Sequence, residues 1–212
     1  LEQKQSELAL DYSINLLQHI SSMIQDKYQL STTHIQEKGD FLEQSFNVLR
    51  ETDIVVIGRV GERSAERNKS IGSNVENFIR GAKCTVLTVG EQFKPPTRFI
   101  FAYEYSPTCQ DMMHRIAKSD LLKLLQCHLL YVGDHPEVLK EPAAFLKNAG
   151  IDVVMEYRYG DVAENIIEYQ KEHAIQLIVL GAFSHSKIHQ FFLGSVTTTI
   201  FRNVTVPLLV TK

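Results

Sequence analysis

Two loops in this chain carry residue types at a spacing that can hold a phosphate. One leaves an apolar run at Gly181, passes Ser184 and arrives at Gly194-Ser195-Val196-Thr197; the other runs from Gly58 through Gly61 to Gly72 and Ser73. Glycine lets an anion approach the backbone closely, and the first-turn N–H groups of a helix, aided by its dipole, favour negative charge there. The hydroxyls of Ser195 and Thr197 add donors. The same residues also read as ordinary helix starts, with Ser195 as an N-cap worth about 0.5–2 kcal/mol and Gly194 as the turn before it. Ser73-Asn74-Val75-Glu76 has the S-x-x-E spacing of a capping box, in which Glu76 reaches back to the cap and brings negative charge toward any phosphate. A third group lies in FAYEYSP, residues 101–107, where Glu104 and Ser106 follow an apolar run. A carboxylate there can accept hydrogen bonds from a ribose or amino group, or help hold a metal bound to phosphates; it can equally be an exposed glutamate after a strand.

Positioning these groups requires strands that end together. Strand-length apolar runs occupy 98–103, 127–132, 151–156, 176–181 and 206–211, and helical patterns fill 109–125, 137–148, 162–174 and 195–203. Runs such as FIFA, LIVL and PLLV are continuously apolar, as expected of strands covered by helices on both faces. A doubly wound parallel sheet of Rossmann-like type follows, and ligands of such sheets collect at the carboxyl ends where the winding reverses. With the first and fourth strands as neighbours, Glu104 and Ser106 face the loop after Gly181. The first half reads as a helix at 1–26, a strand near 31–36, a helix at 41–50, a strand at 53–58, a helix at 73–81 and a strand at 84–89. EQFKPPTR then carries two adjacent prolines, which neither a helix interior nor a central strand accepts, so the expected domains are 1–92 and 97–212.

The halves superpose in sequence. Gly39-Asp40 matches Gly160-Asp161, DIVVIGRVG at 53–61 matches QLIVLGAFS at 176–184, Gly72-Ser73 matches Gly194-Ser195, and Arg80 matches Arg202, all at offsets of 121 to 123. On this alignment the first half is a copy that lacks its opening β-α-β.

Other chemistries find no footing. No G-x4-G-K-(S/T) or G-x-G-x-x-G string occurs, and no G-x-S-x-G elbow places a nucleophile, so kinase, dehydrogenase and triad-hydrolase readings fall away and no catalytic residue is assigned. His185 and His189 are spaced i, i+4 without a third ligand nearby, and Cys84, Cys109 and Cys127 form no C-x-x-C pair, so no metal site is expected and the thiols read as reduced and structural. Lys187 reads as a solvated loop lysine or a phosphate contact; adjacent Phe191 and Phe192 cannot share one face, so one is free to pack on a partner. A formal net charge of −3, with both signs spread along the chain, gives no field for nucleic acid. Apolar runs such as 54–57 fall far short of the ~20 residues that cross a bilayer, and LEQKQSELAL has no signal-peptide pattern, so a cytoplasmic protein is expected.

In these residues the chain resembles the universal stress proteins of tandem type, whose nucleotide-binding members carry G-x2-G-x9-G-(S/T) after the fourth strand. The second half shows G-x2-S-x9-G-S through Gly181, Ser184, Gly194 and Ser195, then Val196 and Thr197; the first half shows G-x2-G-x10-G-S through Gly58, Gly61, Gly72 and Ser73. The resemblance spans essentially the whole chain and implies two tandem doubly wound domains. It further implies an adenine nucleotide, ATP with Mg²⁺, bound to the second half, with Val132 beside the base and Glu104 where relatives place an aspartate. Pairing of the last strands of the two domains, giving an internal pseudo-dimer, and a further homodimer are also implied. Two roles remain open: a nucleotide-responsive stress regulator, or a scaffold that keeps the fold and acts through protein or other small-molecule contacts.

Overall fold

The computed structural model describes residues 2–49, 54–59, 73–90, 93–181 and 195–211. The chain divides into two compact units, Leu1–Val48 and Leu49–Lys212.

The first unit is helical. α1 (Glu2–Tyr28) contains neither glycine nor proline, and it stops where Gln29 turns left-handed at φ 55° and returns its N–H to Gln25 O at 2.9 Å. α2 (Phe41–Val48) starts on Asp40, whose carboxylate accepts from the N–H groups of Leu42 and Glu43 at 3.0 and 3.1 Å. The strand expected near 31–36 does not form: the segment is exposed and joins no sheet. A strand exists only where its backbone groups find a partner, and this unit supplies none among the described residues.

In the second unit all strands share one sheet of order β1-β2-β7-β6-β3-β4-β5, formed by β1 (Ile54–Gly58), β2 (Thr85–Val89), β3 (Arg98–Tyr103), β4 (Gln126–Val132), β5 (Val153–Arg158), β6 (Leu177–Gly181) and β7 (Leu208–Thr211). Every neighbouring pair is parallel except β2 and β7, which meet antiparallel through Val86↔Val210, Leu87↔Leu209 and Thr88↔Leu208. Thus one mixed, mostly parallel α/β sheet stands where two tandem doubly wound parallel-sheet domains were expected. The helices are α3 (Ser73–Gly81), α4 (Pro107–Lys118), α5 (Asp120–Lys123), α6 (Lys140–Asn148), α7 (Val162–Glu172) and α8 (Ser195–Asn203).

The single helix expected over 109–125 is broken at Ser119. Its extended backbone ends α4, and its hydroxyl accepts from Leu122 N at 3.3 Å to open α5. A 3-10 turn over Pro136–Leu139 leads into α6. On one face of the sheet Phe99, Phe101, Cys127, Leu129 and Val179 pack with Met112, Ile116, Ala143 and Leu146, all buried. Alternation sends His128 to the opposite face, where it meets Tyr169 of α7. Burying each such large apolar side chain contributes about 1.5–3 kcal/mol against chain entropy.

The Gly-Asp pairs of the internal repeat are helix starts. Gly160 takes φ 104°, and Asp161 caps α7 by accepting from Glu164 N at 2.9 Å, as Asp40 caps α2 after Gly39.

Candidate functional site

β3 lies between β4 and β6, so its carboxyl end opens next to that of β6, with Phe101↔Val179 in register. Beyond Tyr103 the chain turns through exposed Glu104 and through Tyr105, held at φ 48°, before Ser106 caps α4. The Ser106 hydroxyl accepts from Cys109 N at 3.2 Å and donates to Glu104 Oε1 at 3.0 Å. The cap and the carboxylate are therefore fastened together, and Pro107 at the first helical position presets the backbone.

The first turns of α4 press on the end of β6. A Cβ at Gly181 would lie 3.4 Å from Thr108 Cγ2 and 3.7 Å from both Cys109 Sγ and Met112 Cε. Glu104 and Ser106 therefore follow β3 at the same end of the sheet at which β6 ends in Gly181. Val132 closes β4 one strand further out and is half-buried, paired with Arg158. Ser195 opens α8 and is exposed, with Val196 and Thr197 half-buried in the first turn. Ser184 and Gly194 lie outside the described residues, as do His185, Lys187, His189, Phe191 and Phe192.

In the first-half loop Gly58 ends β1, exposed and with nothing among the described residues within 4 Å of where a Cβ would stand. Gly61 and Gly72 lie outside the described residues, and Ser73 is the first residue of α3. Glu76 turns toward Arg80, one turn along α3, in an ion pair. The cap expected at Ser73 rests on a side chain outside the described residues; the i, i+4 pair is the contact of Glu76 that the described residues supply.

Two residues escaped the sequence reading. Arg59, directly after β1, is buried, and its guanidinium donates to Phe201 O and, at 3.4 Å, to Val206 O, capping the carbonyl end of α8. Burial lowers its pKa, and the helix carbonyls carry the partial negative charge that suits a cation. No repeated signal marks it, since the aligned residue of the second half is Ala182. Thr211, paired with Gly181 across β7 and β6, is buried with its hydroxyl unpartnered among the described residues. A hydroxyl at a strand end gives no periodic cue.

Burial dominates the titrations here. It pushes the Tyr103 phenol up to about 12 and raises the Cys109 thiol, so both stay protonated near neutrality. Cys109 is accordingly a packing thiol. Among the described residues no three His, Cys, Asp or Glu side chains gather as a metal cluster, and no helix is long and apolar enough to cross a membrane.

With this geometry in place, comparison with known proteins is informative. Residues 137–212 match the Universal stress protein family. Universal stress protein Slr1230 of Synechocystis sp. is 28% identical over 219 residues, covering 99% of this chain and 72% of that protein. The chain belongs to the universal stress protein family. Universal stress protein YxiE of Bacillus subtilis is 30% identical over 97 residues, 40% of this chain and 66% of its own length. A universal stress protein from Archaeoglobus fulgidus shares the fold at a TM-score of 0.82 and 19% identity, covering 97% of this chain and 80% of that one. The family assignment rests on the sequence matches, while the structural likeness fixes the architecture.

Proposed function

We propose that this universal stress protein is a nucleotide-responsive regulator: an adenine nucleotide, ATP with Mg²⁺, binds at the carboxyl ends of β3 and β6 and changes the shape or assembly of the protein. The observation that carries this reading is the parallel β3–β6 pairing, which sets Glu104 and Ser106 beside Gly181, where the G-x2-S-x9-G-S spacing begins. In this site Ser195, Val196, Thr197 and the N–H groups of the first turn of α8 hold phosphate, with Gly194 and Ser184 shaping the loop. Val132 flanks the base, and Glu104 accepts from the ribose or steadies phosphate-bound Mg²⁺. Gly58, Gly61, Gly72 and Ser73 form the corresponding loop of the first half.

The same reading takes the chain as two related domains, 1–92 and 97–212, joined as an internal pseudo-dimer. In support, β1–β2 and β6–β7 pair in matching register, Gly58↔Val89 beside Gly181↔Thr211, and the two pairs meet antiparallel at β2 and β7. A homodimer and cytoplasmic residence complete the reading, and no catalytic step is assigned. A scaffold role is favoured instead by the Ser106 hydroxyl, which is already committed to the cap and to Glu104, and by exposed apolar residues on β1.

The test is to purify the protein without added nucleotide, denature it, identify any released small molecule by mass spectrometry, and titrate Mg-ATP calorimetrically. Ser195→Ala is expected to weaken ATP about ten-fold or more, the value of a hydrogen bond to a charged group, without unfolding the protein. An empty pocket with a flat titration in the native chain overturns the nucleotide reading and leaves the scaffold.

A further inference from the structure

On the sheet face away from α4 and α6, four side chains join in one chain of hydrogen bonds. The Gln126 amide Nε2 donates to Asp152 Oδ2 at 2.7 Å, so its carbonyl oxygen faces His128 Nε2 at 3.1 Å. A carbonyl only accepts, and Nε2 therefore carries the imidazole proton. That leaves His128 Nδ1 as an acceptor, and the Tyr169 hydroxyl donates to it at 2.7 Å. The polarity of the whole chain is fixed from the exposed Asp152 to the fully buried Tyr169 of α7.

We propose that Tyr169, His128, Gln126 and Asp152 form an acid-released latch, which fastens the carboxyl-terminal turns of α7 to the sheet only while His128 is neutral. A second proton could enter only at Nδ1. It would oppose the Tyr169 proton and force that hydroxyl to turn toward a site where the ring is fully buried. His173 and Arg98 act in the same direction. From α7, His173 lies 5.7 Å from the His128 ring and stacks on Tyr169 at 4.1 Å; from β3, Arg98 donates to His173 O at 3.1 Å. From β5, Arg158 stands over the Tyr169 ring at 4.9 Å, paired with Glu172 of α7 and Glu156 of its own strand. Asp152 acts the other way, drawing a proton toward His128.

Burial first, then His173 and Arg98, hold the His128 pKa below the ordinary imidazole value of 6.5. Burial pushes Tyr169 up to about 12, so it keeps its proton to donate. The unfolded chain takes up a proton near pH 6.5 and the folded chain does so lower. The stabilisation is therefore complete above that value and is lost as pH falls from it toward the folded pKa.

The experiment is a titration of the full chain from pH 7.5 to 5 by imidazole ¹⁵N NMR, with hydrogen exchange of the α7 amides corrected for intrinsic rate. The native protein is expected to show His128 protonated at Nε2, a midpoint below the ordinary value, and α7 protection that falls as His128 titrates. Tyr169→Phe removes the donor at Nδ1 and should move the midpoint upward, while His128→Gln should flatten the pH dependence of α7 protection. An Nδ1–H tautomer or an ordinary midpoint in the native protein overturns the latch, with no variant required. Equal pH dependence in the native chain and His128→Gln overturns it as well.

Discussion

β1–β2 and β6–β7 are the same device in two settings. Both pairs are parallel, both end on a glycine in the same register, and both are followed by a nine-residue helix, α3 or α8. Yet β6 is buried along Leu177 to Leu180, whereas β1 alternates, with Ile54 55% and Val56 61% exposed. The difference lies in the neighbour: β3 covers the second edge of β6, and no described strand covers that of β1. Strand burial belongs to the sheet position, and IVVIG and LIVLG do not encode it themselves.

The largest effect should come from placing the same charge at matched positions. Val179→Asp buries an unpaired carboxylate in a site with no solvent access and is expected to cost about 3–5 kcal/mol or to abolish folding. Val56→Asp on exposed β1 should stay within about 1 kcal/mol in the same denaturation experiment. Equal losses would break the comparison by showing β1 to be covered in solution.

A smaller effect tests the bridge between the two pairs. Arg59→Ala leaves the Phe201 and Val206 carbonyls without their donor and should lower the denaturation midpoint by the equivalent of about 1–3 kcal/mol. The loss should appear first as faster amide exchange in the last turn of α8, and unchanged exchange there would show the cap to be dispensable. Smallest are the matched helix caps. Asp161→Ala and Asp40→Ala should each cost about 1 kcal/mol, the first read as a lower midpoint for the second unit and the second as reduced helicity near α2. A silent Asp40→Ala would separate two caps that their Gly-Asp sequences equate.

What was legible in the sequence follows from the same comparison. FIFA and LIVL announced buried strands because both are central in the sheet, and Gly160-Asp161 announced a helix start because the cap is local chemistry. The segment STTHIQ misled, since strand formation depends on a partner that a local pattern cannot supply. Leu121, Leu122 and Leu124 continue the helical pattern through Ser119, where a side-chain cap competes with the backbone and breaks it. Within the candidate site, the neighbouring of β3 and β6, which sets Glu104, Ser106 and Gly181 at one end of the sheet, was legible because it follows from strand order. Arg59 was not, because its partners are backbone carbonyls 142 and 147 residues away, which leave no trace in residue type.

The reversal of strand direction between β2 and β7 also sets an orientation. β1 runs against β6, so Gly58 and Gly181 stand at opposite rims of the sheet, and Arg59 at one rim touches the tail of α8, whose head, Ser195, belongs to the other. Two guests at the two loops would occupy opposite poles and never compete for space. Between them lies α8, held at its tail by Arg59 and opening at its head on Ser195, an element placed like a push rod.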